Sequence, residues 1–103
     1  MARRATWRIP LRLSVILNCG SRAFPGTVTN LSEYGMFISA EVAGFTEDAQ
    51  CDISLPLKEG ELRIPGKLVR VSKINGRYNG IGVELIDPPQ KYLDFVENLL
   101  YVL

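Results

Sequence analysis

The sequence predicts an all-β fold: a six-stranded antiparallel, split β-barrel followed by a C-terminal α-helix. Three observations predict it. Apolar and polar residues alternate in short runs, as at Leu11, Leu13, Val15 and Leu17 and again at Ile81, Val83 and Leu85, which is the period of a half-buried strand. Turn residues punctuate those runs, and Asn75-Gly76 is the clearest hairpin signal, because both residues accept the positive φ of a type I′ turn. After Pro88-Pro89 the period changes to a helical stripe of Tyr92, Phe95, Val96, Leu99 and Leu100. Closing the strands into a barrel removes the edges that a small flat sheet leaves open.

Taken in order, residues 1–9 show no strand or helix period and read as a flexible basic arm. Residues 10–103 read as the barrel and its helix. The first strand starts at Pro10, with Ile16 the one apolar residue on the polar face, and Gly20-Ser21 turns the chain. A second strand covers roughly Ala23 to Thr29, with Pro25-Gly26 expected as a bulge or edge feature. The string Asn30-Leu31-Ser32-Glu33-Tyr34-Gly35 forms the next turn, and Met36-Phe37-Ile38 starts a third strand. Residues 41–49 are polar and read as loop. A fourth strand runs from Cys51 to Leu57, and a fifth from Leu62 to Ile74, interrupted at Pro65-Gly66. A sixth returns from Tyr78 to Ile86. The stripe on residues 90–103 caps the core.

The chain has 103 residues, enough for one domain near the small end of what sustains its own core. Its net charge of +1 hides an asymmetry: residues 1–32 hold five arginines (Arg3, Arg4, Arg8, Arg12, Arg22) and no acid, and the remainder is net acidic. That pattern points to a local anion site rather than to a protein basic all over. The apolar run Leu13–Leu17 is too short for a secretory signal core, and no run is long enough for a membrane-spanning helix, so the expected location is cytoplasmic with no membrane insertion. Cys19 and Cys51 each share parity with inward-facing apolar residues and read as small core residues; two cysteines in a chain without histidine make a poor zinc site.

The residue types with the most chemistry are Arg4 and Arg8, four apart in the arm and preceded by Arg3, and then Asn30, Ser32 and Gly35. Arginine's planar fork matches the adjacent O6 and N7 acceptors of a guanine and also suits a phosphate. Short polar side chains can take the remaining edge of a base. The order R-R-x-x-x-R, one strand pair, then N-x-S-x-x-G, resembles the PilZ domain, a bacterial receptor for the dinucleotide cyclic di-GMP. The likeness spans nearly the whole chain, and Gly80-Ile81-Gly82-Val83-Glu84-Leu85 looks like that family's closing strand.

The resemblance implies a six-stranded barrel with a C-terminal helix and a ligand site made of Arg3, Arg4, Arg8, Asn30, Ser32 and Gly35. The arm would act as a latch, ordered at a cost of roughly 1–2 kcal/mol per backbone residue fixed and held by charge-assisted bonds. Gly35 would allow close backbone approach. The family often carries Asp where this chain has Asn30; an amide offers one acceptor oxygen where a carboxylate offers two. An arginine at position 3 implies that cyclic di-GMP binds as a stacked dimer, and the output would pass to an effector protein that the sequence does not name. Trp7, inside the arginine spacing, is expected to pack the arm on the barrel.

Two other readings compete. A PilZ-like protein adaptor without ligand binding would usually lack the arginines. A single-stranded nucleic-acid-binding barrel needs a broad basic groove with several exposed aromatics, and here the positive charge is confined to the front while Phe24, Phe37 and Phe45 are not obviously on one face. DNA or RNA is therefore not expected as a partner. No nucleophile and base pair is recognisable and histidine is absent, so neither catalysis nor a cofactor is expected.

Overall fold

Strand alternation is realised in six antiparallel strands, β1 (Ile9–Cys19), β2 (Arg22–Ser32), β3 (Gly35–Ser39), β4 (Gln50–Leu57), β5 (Gly60–Ile74) and β6 (Arg77–Leu85), followed by α1 (Gln90–Val102). They close in the order β1-β2-β3-β6-β5-β4, so β1 pairs with both β2 and β4. The structure, a computed structural model, describes residues 8–40, 48–74 and 77–102. The expectations for Arg3, Arg4, Trp7, Phe45 and the Asn75-Gly76 turn fall outside the described residues.

The inward faces carry the pattern read from sequence. Val15, Leu17, Val28, Leu31, Met36, Ile38, Ile53, Leu55, Ile64, Leu68, Ile81 and Val83 fill the interior. Burying side chains of this size stabilises by about 1.5–3 kcal/mol each relative to exposure. The barrel interior is therefore packed side chain, as expected for so few strands. Helix α1 begins after Pro88-Pro89, and the Pro89 carbonyl accepts from the amides of Tyr92 and Leu93. Its apolar stripe seats Tyr92 and Val96 in the same core. No helix among the described residues is long and apolar enough to cross a membrane.

Three details sharpen or differ from the sequence expectations. Of the bulge or edge feature expected at Pro25-Gly26, the structure has the edge: Pro25 faces Ile16 and Gly26 faces Val15 in unbroken register with β1. Pro25 lies beyond the end of the β3 pairing, which starts at Thr27↔Ser39, so its missing N–H costs no ladder bond there. Pro65-Gly66 does not interrupt β5, which is continuous and pairs with β4 through Asp52↔Pro65 and Cys51↔Gly66. The cysteines lie at the core as expected, Cys51 within it and Cys19 packed against it, but they are joined in a disulfide, with Cα atoms 4.4 Å apart across β1 and β4. That spacing is the one expected of directly opposed residues in a non-hydrogen-bonded antiparallel pair. The pairing of β1 with β4 joins segments 32 residues apart, and strand parity alone does not disclose it.

The breaks in register fall elsewhere. One in β2 lies between Val28 and Asn30 against β3, and one in β5 lies between Leu68 and Arg70 against β6. In each, two residues oppose one on the neighbouring strand. Val28 and Leu31 can therefore both point inward while Asn30, between them, points out. By the same geometry Leu68 is buried while both Val69 and Arg70 are exposed.

Candidate functional site

The register places Asn30, Phe37, Gly82 and Arg70 side by side across β2, β3, β6 and β5. At the usual strand spacing this row is roughly 14 Å wide. Met36 and Ile38 point into the core, so the alternating Phe37 points out. Gly82 contributes no side chain between Phe37 and Arg70. The outcome is a trough of about 570 Å³ on the outer wall, lined by Arg8, Asn30, Phe37, Val69, Arg70, Gly82 and Val83. Its size suits a small-molecule ligand.

Of the residues singled out from sequence, Arg8, Asn30, Ser32 and Gly35 converge. Asn30 lines the trough, and Ser32 and Gly35 line an adjoining hollow of about 490 Å³ that also includes Arg8, Tyr34 and Glu84. Arg8 is common to both and stands exposed immediately before β1. Asn30 and Ser32 close β2, and Gly35 opens β3 opposite Ser32. The string N-x-S-x-x-G is thus a strand end plus a two-residue hairpin rather than a turn throughout. The Leu85 amide donates to the Tyr34 carbonyl at 2.9 Å and ties that hairpin to the end of β6.

Gly35 has a more definite task than general backbone access. It is not among the glycines with positive φ in the described residues, so conformational freedom does not explain it. A methyl group there would lie 3.1 Å from Arg8 Nη1 and 3.6 Å from Nη2. The bare backbone leaves the berth in which the Arg8 guanidinium rests. Gly35→Ala should therefore leave the thermal midpoint nearly unchanged while weakening binding of the site's ligand roughly tenfold, by shifting that guanidinium a few tenths of an ångström. Unchanged affinity in a titration would refute this role.

Ser32 is buried at 3 % exposure, and its backbone carbonyl accepts a hydrogen bond from the Tyr92 hydroxyl of α1 at 2.6 Å. Tyr92 is fully buried. Burial pushes its phenol far above the ordinary range; the Arg8 guanidinium opposes that rise and Glu33 adds to it. The helix therefore anchors the motif strand directly, through a residue read from sequence only as core. Phe37, Val69, Arg70 and Gly82 also join the site without having been singled out as site residues. Phe37 does so through its place beside Asn30, and the other three come from strands remote in sequence.

The family model for the PilZ domain matches residues 2–101. Among solved structures, the PilZ domain of CeSA from a cellulose-synthesizing bacterium is 25% identical, covering 94% of this chain and 98% of that one, with a TM-score of 0.68. The Bacillus subtilis inhibitor of motility (MotI/DgrA) is 13% identical with a TM-score of 0.77, and the K. pneumonia MrkH–c-di-GMP complex is 16% identical with a TM-score of 0.71. Each of these two matches covers 98% of this chain, which spans 51% and 52% of their respective lengths. No curated protein matches the chain at a significant level.

Proposed function

We propose that this chain, which belongs to the PilZ domain family, is a cytoplasmic bacterial receptor for cyclic di-GMP that relays occupancy of its site to a partner protein. The observation that carries this reading is the guanidinium of Arg8, berthed over Gly35 and lining the same trough as Asn30. A cyclic dinucleotide presents phosphates and guanine edges together. Arg8 meets either with two parallel hydrogen bonds, and Arg4, in the same motif, supplies the second fork. Asn30 offers one amide oxygen to the N–H edge of a base or its NH₂ to a carbonyl acceptor. Phe37 gives the floor an aromatic surface on which a base can stack. Binding and release account for the site, and no reaction step is assigned to it. Arg3 supports a stacked pair of ligands over a single one, by resemblance to family members with arginine there.

Calorimetric titration of cyclic di-GMP into the protein tests the reading, with Arg4→Ala and Arg8→Ala alongside. The expected result is saturable binding with a shallow salt dependence, and a loss on the order of 100-fold in either variant, since each removes a charge-assisted bidentate contact. A ratio near two ligands per chain is expected for the stacked pair. No binding at high protein concentration would overturn the receptor reading and favour the adaptor. A steep salt slope with single-stranded oligonucleotides would favour a nucleic-acid barrel.

A further inference from the structure

The β5 wall of the trough suggests a contact outside the motif residues. Arg70 is exposed at the far end of the row from Asn30 and lines the trough together with Arg8. Among the described residues no carboxylate lies within ion-pair distance of it; the ion pair found there joins Arg63 and Asp52. Two guanidiniums facing one hollow, without an acid between them in its lining, repel each other unless an anion intervenes. The register break at Leu68/Arg70 makes this arrangement possible, because it turns Arg70 outward while Leu68 and the half-buried Val71 keep their places against the core. A matching break in β2 turns Asn30 outward on the opposite wall. Bulges beside a site commonly re-aim a side chain in this way. Between the two walls, Gly82 leaves the floor open: a Cβ there would meet only Arg70 Cβ at 3.5 Å and Val69 Cγ2 at 3.9 Å, both ordinary contacts.

We propose that Arg70 is a further ligand-binding residue of this site and holds a phosphate of the cyclic dinucleotide from the β5 wall, opposite Asn30. The inference rests on the receptor reading above and adds to it a cation carried by a barrel strand, outside the N-terminal motif. Because Arg70 is held in register with Gly82 of β6, within a strand, the contact requires no ordering of a chain terminus. Arg70 therefore contributes to affinity independently of the latch.

The test is calorimetry with cyclic di-GMP over a salt series, using wild type, Arg70→Ala and Arg70→Lys, with thermal melts of each as the control for folding. Arg70→Ala is expected to bind roughly tenfold more weakly and to lower the magnitude of the salt slope by about one, the signature of a lost phosphate contact. Arg70→Lys is expected to restore the slope and most of the affinity, since a phosphate accepts a point charge where a guanine edge demands the fork. An Arg70→Ala protein that binds as wild type does would overturn the inference and leave the receptor reading intact. Equal loss in both variants with an unchanged slope would overturn the phosphate contact. Wild type that fails to bind overturns the receptor reading first, and this inference with it.

Discussion

Reducing the Cys19–Cys51 bond should lower the unfolding free energy by roughly 3–4 kcal/mol, the loop-closure value for a crosslink of this span. The bond joins residues 32 apart, so it removes a large set of open conformations from the unfolded chain. It also stands at the barrel's shortest seam: β1 and β4 are in register only from Ile16↔Ser54 to Asn18↔Asp52, whereas β4 and β5 are paired from Gln50↔Lys67 to Leu57↔Gly60. The Asn18 side chain supports the same seam by donating to Ser54 Oγ at 2.9 Å and to the Asp52 carbonyl at 3.3 Å. Urea unfolding with and without a dithiol reductant measures the loss, and a Cys19→Ala/Cys51→Ala protein should match the reduced curve. Identical midpoints would refute it. Ligand affinity should not follow, because in the strand order the β4–β1 seam lies across the barrel from the β3–β6 seam, where the trough is centred. The cytoplasm proposed for this protein keeps thiols reduced, so the dithiol form is the one that must retain binding there.

Tyr92→Phe is expected to cost about 1–3 kcal/mol while keeping the ring in the core. The variant removes the donor to the buried Ser32 carbonyl and leaves that acceptor short of a partner. A pH dependence accompanies it. Burial raises the phenol's pKa in the folded state, so the folded chain holds this proton where the unfolded chain releases it. Stability from Tyr92 is fully present below the unfolded value near 10 and is lost as the pH rises above it. Chemical unfolding at neutral pH and at about pH 11 should therefore give a smaller difference for the Phe variant than for wild type. Equal pH differences would show that Tyr92 does not carry the alkaline limb.

The fold was legible because each strand declares its inward face locally. Leu11 to Leu17 and Ile81 to Leu85 needed no partner to be recognised, and Tyr92 to Leu100 changed period after two prolines. What escaped was set between strands. The breaks in register at Val28/Asn30 and Leu68/Arg70 depend on how β3 and β6 lie against their neighbours, and so does the side on which Arg70 emerges. The cysteine pairing depends on closure of β1 onto β4. The site divides in the same way. Asn30, Ser32 and Gly35 announce themselves as a short string, and Arg8 by its place in the arm. That Gly35 makes room for Arg8, and that Tyr92 holds Ser32, are meetings of segments far apart in the chain.

The alternation that builds the barrel also separates two kinds of selection. Along β2, Val28 and Leu31 serve the interior while Asn30 serves the trough; along β5, Leu68 serves one and Arg70 the other. Substitutions on the outer positions can retune or erase recognition without disturbing the packing that defines the shape. Two chains 13% identical can accordingly share this shape at a TM-score of 0.77. The shape asks for far fewer particular residues than recognition does, and the outer row must be read in each sequence anew.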